Sequence, residues 1–218
     1  MKNIMEFFQT LSQELPKKNV VKFCNKLAKR KTLDAENALD ELCNLCAWLY
    51  VYGAYTAIIQ CAEITHTFEI PEITKLGNKM KFYHLYDLWG METRALKLLG
   101  QSERADEIKR DMDKIQMTMR TNGLKGLESP EDTIDRENKR REHVHFDELS
   151  NENFLELAGK PIKEQGEYRI SKSDIPFYQM RGIRKLVAGV EAGVYPNLDV
   201  SLSETAITRY ADELRKYD

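Results

Sequence analysis

The chain has 218 residues, 42% of them apolar and 31% charged, with a formal net charge of −2. That length sustains one large domain or two small ones with a proper core, and the near-balanced charge selects neither nucleic acid nor an anionic membrane as partner. Eleven glycines and six prolines are few for a fold of many short strands and tight turns, so helices are expected.

Ile4, Phe7, Phe8, Leu11 and Leu15 fall on one helical face. With Glu6 and Glu14 and no long apolar run, this stretch is not expected to act as a secretory signal. Pro16 fits the first turn of a second helix, where a missing N–H costs nothing. That helix is expected to run to about Lys31, with Val20, Val21, Cys24, Leu27 and Ala28 inward. Residues 17–31 hold seven basic side chains and no acidic one. A basic amphipathic helix can bind phosphates or an anionic surface, but the acidic residues that follow (Asp34, Glu36, Asp40, Glu41) offer internal complements. A solvated or internally paired face is therefore preferred over nucleic-acid binding.

Asp34 is placed as the N-cap of a third helix. Residues 42–62 then form 21 consecutive positions without a charge, long enough to reach the ~20 residues of a membrane span. Asn44, Gly53, Thr56 and Gln60 interrupt the run, and acidic Asp40, Glu41 and Glu63 flank it without the basic residues that set orientation. The run is expected to form two buried helices meeting near Gly53, which suits the left-handed end of the first. The short link makes them antiparallel. A long helix from about Glu72 to Leu99 follows, closed by Gly100. Its partner, residues 101–120, sets Ala105, Ile108, Met112, Ile115 and Met119 on one face.

These two pairs resemble tetratricopeptide-repeat proteins. In the second pair Trp89 stands at the early aromatic position, Leu96 at the tyrosine position, Gly100 at the turn and Ala105 at the small helix-contact position. In the first pair Leu42, Leu45, Leu49, Gly53 and Tyr55 match. Cys46 and Thr93 replace the family's helix-contact glycine, Ile58 replaces its alanine, and Pro71 is one place off. The turn glycines are 47 residues apart, against ~34 in the family. Over roughly residues 34–120 the resemblance implies an all-α chain of antiparallel hairpins stacked as a short solenoid. It also implies binding of a protein or peptide in a helical groove, lined by the first helix of each pair. Trp48, Tyr50, Tyr83 and Tyr86 are the candidate groove residues, with Tyr50 and the end of Trp48 expected to reach it; the alternative is that all of them pack as core.

The remaining sequence divides in two. Residues 126–146 form a charged linker or solvated helix: between 128 and 142, ten of fifteen residues are charged. Residues 147–218 form a less regular helical region, with a short helix over 151–157 and a loop or short hairpin over 160–172. A further helix follows from Pro176, and a capping box at Ser201 and Glu204 opens the last one. The helical-repeat domain is thus residues 1–125.

No motif for chemistry stands out. Cys43-x-x-Cys46 has the spacing of a metal or redox pair, but it lies on a helical face without a second pair or a surrounding βαβ pattern. With Cys24 and Cys61 it is read as core thiols, which suits the cytoplasm. His143 and His145, beside Asp147 and Glu148, lack the further ligands of a metal centre. The sequence has no glycine-rich phosphate loop, nucleophile elbow or HExxH pair. The expectation is a non-enzymatic interaction module without cofactor or metal. One alternative is an immunity or regulatory protein that inhibits a partner enzyme. Another is an enzyme built from Glu63, His66, His84, Asp87 and Glu92 between helices, with His84 and Asp87 close enough on one helix to touch.

Overall fold

The computed structural model describes residues 2–68, 79–121, 172–177 and 211–218. The chain divides into two compact units, Met1–Leu127 with Asp218, and Glu128–Tyr217. Among the described residues all regular structure is helical. The first unit contains α1 (Lys2–Glu14), α2 (Lys18–Ala28), α3 (Leu39–Val51), α4 (Tyr55–Thr65), α5 (Lys79–Leu98) and α6 (Ser102–Thr121). No described helix is long and apolar enough to cross a membrane.

Each boundary has a local cause. The Lys17 N–H reaches back to the Leu15 carbonyl at 2.7 Å, so the chain turns tightly over Pro16 and α2 starts one residue after the turn. Pro16 is therefore in the link and not in the helix. Lys17 precedes α2 with an extended backbone and no side-chain cap. The cap is supplied by Asp218, whose Oδ1 accepts from the Asn19 N–H at 2.8 Å while its Oδ2 accepts from the Tyr52 hydroxyl at 2.5 Å. α2 ends at Ala28, three residues short of the expectation.

Asp34 caps a separate turn and not α3 itself. Its Oδ1 accepts from the backbone N–H of Glu36 and Asn37 at 3.0 and 2.9 Å, and the Ala38 N–H bonds to the Asp34 carbonyl. α3 begins only at Leu39. Burial raises the Asp34 pKa, but the side-chain and backbone bonds from Asn37, with those from Thr32 and Glu36, outweigh it and hold the carboxyl below its ordinary 3.8.

The two helical turns at Gly53 and Gly100 share one design. Both glycines have a positive φ, 71° and 75°. Ala54 N–H bonds to the Leu49 carbonyl and Gln101 N–H to the Leu96 carbonyl, at 2.9 and 2.8 Å. These six-to-one bonds satisfy carbonyls that a helix end leaves open.

Helix α3 is the centre of the unit: α2, α4 and α5 all pack on it. This is why its buried residues run almost without break from Leu39 to Val51. α1 packs on α2, and α5 packs on α3, α4 and α6. Phe23 of α2 is fully buried beside Val20, Cys24 and Leu27, whereas Val21 and Ala28 are half-buried.

In the second unit residues 175–177 and 211–214 are helical, Arg215–Tyr217 is a short 3-10 turn, and Phe177 and Leu214 are buried. The linker over 126–146, His143, His145, the helix over 151–157, the loop over 160–171 and the Ser201/Glu204 box lie outside the described residues, as does 69–78.

Candidate functional site

The aromatic groove expected from α3 is not there. Trp48 is 0% exposed and Tyr50 4%, so neither offers a ring for a partner to grip. The cause is the position of α3, covered by three neighbouring helices instead of lining a concave edge. The Trp48 ring stacks on Tyr52 at 6.3 Å between centroids, and Tyr50 meets Tyr55 edge-on at 5.5 Å. Tyr86 on α5 is half-buried; the side chain of Tyr83 lies outside the described residues.

Both described histidines are joined to carboxylates from other helices. His66, at the end of α4, has its Nε2 2.7 Å from Oε2 of Glu92 on α5. The Glu92 side chain is fully buried, that of His66 34% exposed. The His66 ring lies against Trp89, 4.8 Å between centroids, and the Trp89 indole donates to Thr65 Oγ1 at 2.8 Å. A carboxylate on Nε2 orients the ring and leaves Nδ1 on the other side. Glu92 Oε1 is buried and has no hydrogen-bond partner. His84 on α5 turns to α3, its Nδ1 2.6 Å from Asp40 Oδ1, and the Cys43 thiol donates to the His84 carbonyl at 3.1 Å. The partner that spacing suggested for His84 was Asp87, which is buried. Sequence spacing held no signal for either cross-helix pair, since the partners are 26 and 44 positions apart.

The four cysteines are buried and reduced. Burial, reinforced by Cys61 nearby, pushes the Cys24 thiol up to about 12. Burial also raises Cys46 well above the ordinary thiol value, followed by its bond to Cys61 and the proximity of Cys61, Cys43 and Glu92. Thiols held protonated are poor nucleophiles and poor metal ligands. Among the described residues no group of three or more His, Cys, Asp or Glu side chains is arranged to hold a metal.

The solvent side of α2 is different in kind. Lys18, Lys22, Asn25, Lys26 and Lys29 are exposed at helical spacings of four, three, one and three, which places them on one face. Three of the acidic residues that follow have partners elsewhere. Glu41 bonds Arg30 at 2.8 Å, Asp40 bonds His84, and Asp34 is tied up in its own turn. Among the described residues Lys17, Lys18, Lys26, Lys29 and Lys31 make no ion pair. The Lys22 and Lys26 ammonium groups lie 5.1 and 5.3 Å from the centre of the Phe23 ring, a cation–π distance. Phe23 was missing from the expected inward face of α2, though its place one turn after Val20 and before Leu27 carries the signal.

No protein-family model matches the chain, and comparison with curated proteins and with solved structures finds no match.

Proposed function

We propose that the chain is a non-catalytic, tetratricopeptide-like helical module that binds a protein partner. The observation that supports this reading best is the placement of α5. It packs on both helices of the preceding hairpin, α3 and α4, and enters α6 through a turn built like the one between α3 and α4. Hairpins related in this way bury their apolar faces on one another and leave an extended outer surface for partners. With Trp48 and Tyr50 in the core, that surface is formed by outward faces of the helices and not by the inner side of α3. The two histidine pairs belong to this reading as ties between helices: His66–Glu92 joins α4 to α5, and His84–Asp40 joins α5 to α3. Reduced, buried thiols suit a reducing compartment. An inhibitor of a partner enzyme is one member of this class.

The test is capture from nuclease-treated lysate of the source cell on the immobilised full chain, with mass spectrometry of what is retained. The expected result is one protein held in near-equimolar amount. Retention of no protein, or of nucleic acid only in an untreated lysate, would contradict the reading.

A further inference from the structure

His66 follows the last residue of α4, and its Nε2 lies 2.7 Å from Glu92 Oε2 on α5. A carboxylate only accepts, so Nε2 carries the proton and Nδ1 keeps the free lone pair of the ring. Nδ1 makes no hydrogen bond among the described residues. The Glu92 side chain is fully buried, whereas that of His66 is 34% exposed. One ring nitrogen is thus fixed from the inside while the ring itself reaches solvent. The Trp89 ring lies against it, and the bond from Trp89 to Thr65 holds that ring in turn. Glu92 Oε1 is buried without a hydrogen-bond partner, so His66 is the one group among the described residues that bonds this carboxylate. His84 is built differently: its Nδ1 is engaged by Asp40 and its Nε2 is buried, so it presents no nitrogen to solvent.

We infer that His66 Nδ1 is a phosphoryl-acceptor site, a point of modification that takes the group from a small phosphoryl donor. Histidine is a competent nucleophile when a neighbouring group sets its tautomer. Attack forms a bond from Nδ1 to phosphorus, and the bond from phosphorus to the leaving group breaks, its electron pair departing with that group. The ring, now substituted on Nδ1 and protonated on Nε2, becomes a cation. Its N–H already points at Glu92 Oε2, and a buried carboxylate stabilises a charge developing beside it more than water would. Glu92 does not touch phosphorus; it is a positioning residue. Glu63 stands three places before His66 on the same side of α4, and Arg104 of α6 pairs with it, which offsets its repulsion of an anionic donor. The chemistry selects phosphoryl over acyl transfer. An acyl group on imidazole is soon lost to water, whereas a phosphoryl group persists at neutral pH and adds negative charge with three acceptor oxygens. Only the second is a lasting change to a surface. The inference goes beyond the protein-binding reading and does not depend on it.

The experiment treats the full chain with potassium phosphoramidate at neutral pH, with N-acetylhistidine in the same tube as a reference. Here the phosphorus–nitrogen bond of the donor breaks and ammonia leaves. Mass spectrometry without acid locates the phosphohistidine, and phosphorus NMR distinguishes the Nδ1 from the Nε2 product. Of the four histidines, His66 is expected to be labelled first, on Nδ1, at about tenfold or more the rate of N-acetylhistidine. N-acetylhistidine has both nitrogens open and reacts mainly at the less hindered Nε2, so an Nδ1 product reads the Glu92 bond directly. H66Q should lose that product. E92Q keeps the side-chain volume but removes the charge, and should slow labelling of His66 by about tenfold or more. Circular dichroism and the melting temperature show whether each variant folds; if E92Q does not, the product and rate in the wild type decide. Labelling of His66 on Nε2, a rate no faster than that of N-acetylhistidine, earlier labelling of another histidine, or undiminished labelling in folded E92Q would each overturn the inference.

Discussion

Trp89 donates its indole N–H to Thr65 Oγ1 at 2.8 Å, and the same hydroxyl donates to the Ala62 carbonyl at 2.6 Å. Both side chains are buried, so this short relay fixes α5 against the last turn of α4. Thr65→Val keeps the volume but leaves the indole N–H without an acceptor. It should cost about 1–3 kcal/mol. Trp89→Ala removes the ring as well and should cost about 3–5 kcal/mol. Urea unfolding followed by circular dichroism reads both, and equal losses from the two variants would show that ring packing contributes nothing beyond the bond.

The turn glycines give a second expectation. Nothing lies within 4 Å of a Cβ built at Gly53 or Gly100, so space does not demand glycine there; the positive φ does. Gly100→Ala should therefore lower stability by about 1–2 kcal/mol, and Gly100→Asn by less, because asparagine tolerates the left-handed region. Thermal melting of the three proteins orders them.

Asp34 should confer a pH-dependent stability. Its folded pKa is depressed, so its contribution is present above the unfolded value near 3.8 and is lost as pH falls through the folded value. Asp34→Ala should cost about 0.5–2 kcal/mol at pH 7, the range for removing a capping side chain. The gap between variant and wild type should close below the folded pKa. A gap that is constant with pH would place the effect in something other than the carboxylate.

The buried thiols act in the opposite direction at the alkaline end. A Cys24 pKa raised from 9.0 to about 12 means that the unfolded chain loses this proton first. Stability contributed by the neutral thiol is full below pH 9 and declines as pH rises toward 12. Native protein should accordingly react with a disulfide reagent at all four cysteines only on unfolding, and Cys24→Ala should flatten the loss of stability above pH 9.

Much of the helical frame was legible in the sequence because it is local. The uncharged run from 42 to 62 divides at Gly53 as the left-handed glycine requires, and Trp89 with Ala105 is buried where helical spacing puts it. What was not legible depends on which helices meet. Trp48 and Tyr50 look eligible for a groove until α3 is found to be covered by α2, α4 and α5. His66 and Glu92 carry no spacing signal, because packing alone brings α4 and α5 together. Asp34 is a good cap by residue type, but four residues of turn intervene before α3, and only the hydrogen bonds of Glu36, Asn37 and Ala38 reveal it. The lysines of α2 were expected to be solvated or matched by the acids that follow. Lys18, Lys26 and Lys29 are exposed and Glu41 bonds Arg30 of the same segment, in line with that expectation, whereas the bonds of Asp40 to His84 and of Asp34 within its own turn are ones that charge counting does not contain.

The central claim is that this helical unit recognises another protein, and its most direct test is the mass of the species formed with the purified protein it captures. Light scattering on a sizing column, after nuclease treatment, should give one species at the summed mass of the two proteins, dissociating as salt is raised. A chain that elutes alone at 25.4 kDa at every salt concentration would contradict the claim.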